Sequence, residues 1–147
     1  MNTSMETARR ERIDAVLALA APRLQAAQGE ALGAFARAYF HHLDADDLAA
    51  RTPEDLLGAL LSAWQFGAER QPGSTRLRVL SPSLAEHGWA SRHTVVEVVN
   101  DDMPFLVDSI TMEINRQGLS LHLIVHPVLV VQRDAQGRLQ ALHELGA

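Results

Sequence analysis

The chain has 147 residues, 47% of them hydrophobic, with a formal charge of -5 and a pI near 5.7, enough for one cored domain, or one domain and part of another. Its thirteen basic residues are scattered, which argues against nucleic-acid binding, and the lack of Cys removes disulfides, a thiolate nucleophile and Cys-ligated zinc. No apolar run approaches the ~18 residues of a membrane span and no basic-then-apolar leader opens the chain, so a soluble cytoplasmic protein is expected.

In the first half, Ile13, Val16, Leu17, Ala20 and Leu24 recur at i, i+3, i+4 and i+7. Leu32, Phe35, Ala36, Tyr39 and Phe40 repeat that spacing after Gly29, and both runs predict amphipathic helices. A short helical turn is expected from Asp44 to Ala50. Thr52-Pro53-Glu54-Asp55 reads as an N-cap, a Pro at the first helical position and an acidic first turn, ahead of Leu57, Leu60, Leu61 and Trp64 on one face. A small helical bundle over residues 1–72, with an Ala/Leu core, follows from these elements.

Gln71-Pro72-Gly73-Ser74 punctuates the chain, and beyond it Val, Ile and Thr become common, so the domain boundary is placed there and a second domain is assigned to 73–147. Arg76 to Leu80 alternates as a half-buried strand, Ser81 to Trp89 reads as a loop, and a second strand runs from about His93 to Asn100. The next helix presents Met103, Leu106, Val107, Ile110 and Ile114 on one face, with Asp102 as its expected cap and Gly118 as its stop. Leu119 to Val131 predicts one long strand bent at Pro127, Asp134 to Gly137 a turn, and Arg138 to Leu145 a last strand. The second half therefore reads β-β-α-β-β, an open sheet with its helices on one face.

The stretch Asn100 to Ser109, a strand running into an acidic turn and then a helix, is the leading candidate site. Asp101 and Asp102 fit a turn and a helix cap better than a metal site. Asp108, read as one to two turns inside the helix on its polar face, could meet an ammonium group or an Arg of another chain. His122 and His126, four apart on the expected strand, would share a face with Cβ atoms roughly 13 Å apart, too far to hold one metal. His41 and His42 close a helix end, where imidazolium suits the dipole. Ser109 lacks the setting of a nucleophile, and Trp64 and Trp89 read as core or interface anchors. No catalytic, cofactor-binding or metal-ligating residue is assigned.

His87-Gly88-Trp89, the block from His93 to Ser109 and His122-Leu123-Ile124-Val125-His126-Pro127-Val128 resemble the N-terminal region of the large bacterial NAD-specific glutamate dehydrogenases. The resemblance implies an α+β chain: a helical segment followed by a partial ACT-like, ferredoxin-like β-α-β-β sheet, cut off before its last helix and strand. It also implies a parent enzyme that deaminates L-glutamate oxidatively with NAD, the NAD belonging to a catalytic domain this chain lacks. ACT modules that bind amino acids carry Asp-x-Pro-Gly-Leu-Leu at the first strand-to-helix turn, whereas Asp102-Met103-Pro104-Phe105-Leu106-Val107 has Phe in place of that Gly. No G-x-G-x-x-G follows a strand, and no Lys is present to handle the amine. The expected role is non-catalytic: regulation or assembly, with other domains and subunits of an oligomeric enzyme as partners. Asn100, Asp101, Asp102, Phe105, Asp108, His122 and His126 are the candidate effector or interface residues. The alternative is a stand-alone ACT-like module sensing an amino acid at the Asn100 to Phe105 turn.

Overall fold

The computed structural model describes residues 3–23, 26–41 and 43–144; Leu24, His42 and Leu145, each named in an expectation above, lie outside them. Helix α1 spans Thr3–Ala20 and runs into a 3-10 turn at Ala21–Arg23. It begins well before the apolar spacing at Ile13, and its polar first half is tied down by side chains: Arg12 donates to the Arg51 carbonyl at 2.8 Å and to that of Leu48 at 3.3 Å. Helices α2 (Ala26–Phe40), α3 (Ala45–Ala49) and α4 (Pro53–Gly67) follow. Asp44 caps α3 by accepting from the Asp47 N–H at 2.8 Å, and Thr52 caps α4 by accepting from the Asp55 N–H at 3.1 Å. These short polar side chains satisfy amide groups that the first turn leaves open. Val16, Leu32, Ala36, Phe40, Leu48 and Leu60 are buried between the helices and form the core.

The second half has the expected order with one addition. Strand β1 (Arg76–Leu80) pairs antiparallel with β2 (Val95–Val99), setting Leu77 opposite Val98 and Val79 opposite Val96. Between them lies a one-turn helix, α5 (Leu84–His87), where a loop is expected. Ser83 caps it by accepting from the Glu86 N–H at 3.2 Å, and Gly88 ends it at φ 78°. The cue was present in the sequence, since a Ser followed three residues later by Glu is a helix-start pattern.

Helix α6 covers Leu106–Arg116, and β3 (Leu129–Arg133) pairs antiparallel with β4 (Leu139–Glu144) through a turn in which Gly137 stands at φ 81°. The long strand expected from Leu119 to Val131 is therefore confined to its last residues; 119–128 is irregular. A strand exists only where a neighbour takes its hydrogen bonds, and here the two sheets stay separate, each of two strands. Leu123 and Val125 turn instead onto the helical core, where Leu129 and Leu142 join them. The architecture is mixed helix and sheet, with α4 at its centre: bundle on one side, β1–β2 on the other.

Candidate functional site

The β2-to-α6 connection is held from α4. Just past the end of that helix, Arg70 donates through Nε to the Ser74 carbonyl at 2.6 Å and through Nη1 to the Asp101 carboxylate at 2.9 Å. The Arg70 hydrogen bond, helped by its charge, holds the Asp101 carboxyl below the usual carboxylate range. Asn100 accepts from the Thr75 hydroxyl at 2.7 Å and donates to the Asp101 carbonyl at 3.2 Å. Asp101 and Asn100 thus fasten the turn to the residues ahead of β1.

Asp102 is exposed and does not cap the helix. The cap position belongs to Phe105, which lies at φ 66° and is 76% exposed. A bulky residue in the left-handed region is strained, because its Cβ crowds the following carbonyl. Gly, as in the amino-acid-binding ACT pattern, would adopt that conformation freely. The helix starts three residues later than an Asp102 cap would set it because the chain reverses at Phe105, whose carbonyl then accepts from the Ser109 N–H at 2.8 Å. Asp108 consequently lies in the first turn of α6, exposed, rather than one to two turns inside it; a carboxylate there suits the positive end of the helix.

His122 and His126 do not share the face of a strand, since their segment is not one. His122 stacks on His93, ring centroids 4.2 Å apart and planes at 20°, while His126 is half-buried. No group of three His, Cys, Asp or Glu side chains is placed to hold a metal among the described residues. The residues do not fit a dinucleotide either: the turn after β2 offers Asn100, Asp101 and Asp102 where a Gly-rich loop would receive a pyrophosphate, and carboxylates repel it. The grooves beside α1, lined among others by Arg12, Ala45 and Leu48 and by Arg9, Arg37 and His41, include no residue of this turn.

Four arginines read as scattered meet around the C-terminal end of α4. Arg76 donates to the carbonyls of Phe66 at 2.8 Å and Glu69 at 2.7 Å; Arg133 reaches those of Gly67 at 2.8 Å and Gly137 at 3.1 Å. Arg78 pairs with Glu97, through Nε at 2.8 Å, and also donates to Ser62, whose hydroxyl donates to Glu97 at 3.0 Å. Arg76 and Arg78 both lie over the Phe66 ring, 4.4 and 4.6 Å from its centre. The last carbonyls of a helix carry partial negative charge, and guanidinium groups are suited to them. The available signal was the i, i+2 spacing of Arg76 and Arg78 on one strand face.

That inward turn of the arginines gives β1–β2 two unlike faces. The face on α4 is charged and hydrogen-bonded; the opposite face shows Leu77 at 64% exposure, Val79 at 60% and Val96 at 45%. Helix α6 buries none of its residues fully, and Met112 is 70% exposed. The family model for the ACT1 domain of glutamate dehydrogenase matches residues 35–147. The chain is 43% identical over 118 residues to the NAD-specific glutamate dehydrogenase of Halomonas elongata, covering 80% of this chain and 7% of that protein. It is 42% identical over 113 residues to the NAD-specific glutamate dehydrogenase of Pseudomonas aeruginosa, covering 77% of this chain and 7% of that protein. No solved structure matches it, and it spans only about 7% of the length of these curated relatives. By the match over residues 35–147, the chain belongs to the glutamate dehydrogenase ACT1 domain family.

Proposed function

We propose that the chain is a non-catalytic assembly and regulatory segment of a cytoplasmic NAD-dependent glutamate dehydrogenase, docking against other domains or subunits of that oligomeric enzyme. In this reading the helices of 1–72 support the ACT-like residues of 73–147, and the parent reaction is the conversion of L-glutamate, NAD and water to 2-oxoglutarate, ammonia and NADH. The observation that carries it is the apolar outer face of β1–β2, with Leu77, Val79 and Val96 open to water on a chain related to much longer enzymes. The exposed, strained Phe105 supports docking over amino-acid sensing, because its ring stands where a ligand would need an unobstructed backbone.

The test is the pair Leu77→Ser and Val79→Ser. In the isolated 147-residue chain the double variant keeps its melting temperature within a few degrees, since these side chains bury little here. In the whole enzyme it lowers the assembled fraction seen by light scattering, with a parallel fall in glutamate-dependent NADH formation. Unchanged assembly and activity would refute the docking role, as would glutamate turnover by the isolated chain.

A further inference from the structure

We propose that the arginines at the end of α4 form a binding site for a small oxyanion, a carboxylate or a phosphate group. Arg70, Arg76 and Arg133 converge there: the Gly137 carbonyl accepts both the Arg70 backbone N–H at 2.8 Å and Nη1 of Arg133 at 3.1 Å, while Arg76 and Arg133 share the final carbonyls of α4. Against these three positive charges stands one bonded carboxylate, Asp101, which is 67% exposed on its side chain; Glu97 is engaged by Arg78. The helix end supplies only about half a negative charge, so positive charge is left over. Crowding supports this: burial, and after it the charges of Arg70 and Arg76, push the Arg133 guanidinium below its usual pKa.

Two donors in the cluster are left over as well. Nη2 of Arg70 and Nε of Arg133 are buried without a hydrogen-bond partner among the described residues, and the Arg70 side chain is only 10% exposed. A buried guanidinium N–H without an acceptor is costly, and an oxyanion is the acceptor that relieves both the missing bond and the excess charge. Asp101 bonds Nη1 of Arg70, so an entering anion competes with it or displaces it. The site is chain-intrinsic and does not depend on the docking role proposed above.

The test measures melting temperature and titration heats of the 147-residue chain with inorganic phosphate and, separately, with succinate, each against sodium chloride at matched ionic strength. Stabilisation by phosphate alone assigns a phosphate ligand and by succinate alone a carboxylate; either supports the site, and equal effects of chloride overturn it. In Asp101→Asn, which removes the competing negative charge beside Arg70, the responding anion binds tighter, by about two- to fivefold if the displaced pair has the usual strength of an exposed ion pair. Arg133→Gln weakens binding while the far-UV spectrum stays native. An Asp101→Asn variant that binds no more tightly refutes the proposal even if Arg133→Gln fails to fold.

Discussion

Phe105 holds a bulky side chain in the left-handed region at the turn into α6. Its place in the pattern Asp-x-Pro-Gly-Leu-Leu was legible in the sequence. Its left-handed backbone, φ 66°, was not, because dihedral strain leaves no mark in the order of residues when the position is filled by Phe. The same blindness moved the helix start, since Asp102 has a good capping side chain but the chain turns at Phe105 instead. Phe105→Gly should raise stability. The left-handed cost of ~1–2 kcal/mol is relieved, less the roughly 0.5–1 kcal/mol that Gly loses in backbone freedom, and the ring contributes little at 76% exposure. A net gain of about 0.5–1 kcal/mol in urea unfolding is expected, whereas Phe105→Ala, with the same φ problem, gains nothing. Loss of stability in the Gly variant would mean that the ring packs on the chain more than its exposure indicates.

Among the elements, α4 was the most legible and carries the most. Thr52, Pro53 and the Leu57, Leu60 and Leu61 face marked it, because caps and periodicity act over a few residues. What encloses it acts over long separations: Trp89 lies against Gly58, the Ala90 N–H donates to Asp55 at 3.1 Å, and Arg133 reaches the Gly67 carbonyl from far down the chain. Long-range pairing is also why residues 119–128 misread as a strand. Their composition suits one, but β1–β2 takes no third member. Gly58→Ala separates the local from the long-range. On helix propensity alone the change gains about 1 kcal/mol, but a Cβ at Gly58 would land on the Trp89 side chain, itself only 6% exposed. Overpacking of this kind costs about 1–3 kcal/mol, a net loss of up to about 2 kcal/mol once the propensity gain is subtracted, so the variant should melt lower, with altered Trp fluorescence. A variant more stable than the parent would show that Trp89 yields freely.

Over the whole molecule, the family resemblance and the α+β class were legible because they rest on residue order, whereas the separation into two sheets and the gathering of the arginines depend on packing across the chain. Tyr39 sits where those parts meet: it belongs to α2, its ring lies 5.2 Å from that of Phe40 and 5.8 Å from that of Phe35, and the charge of Glu97 on β2 reaches it. Burial, then that carboxylate, pushes its phenol up to about 12 from the ordinary 10. The neutral phenol therefore stabilises the fold fully below pH 10, and the contribution is lost as pH rises through 12, because the unfolded chain ionises first. The sequence makes this an unusually clean measurement: it has one Tyr, no Lys and no Cys, so no second phenol and no amine or thiol side chain contributes between pH 9 and 12. Absorbance at ~295 nm should give a native midpoint near 12 and a midpoint near 10 in denaturant. Unfolding free energy should fall by on the order of 1–3 kcal/mol over that window, and Tyr39→Phe should flatten the fall. A native midpoint near 10 would show that the Tyr39 phenol is hydrated in the folded chain and that the Glu97 charge does not act on it.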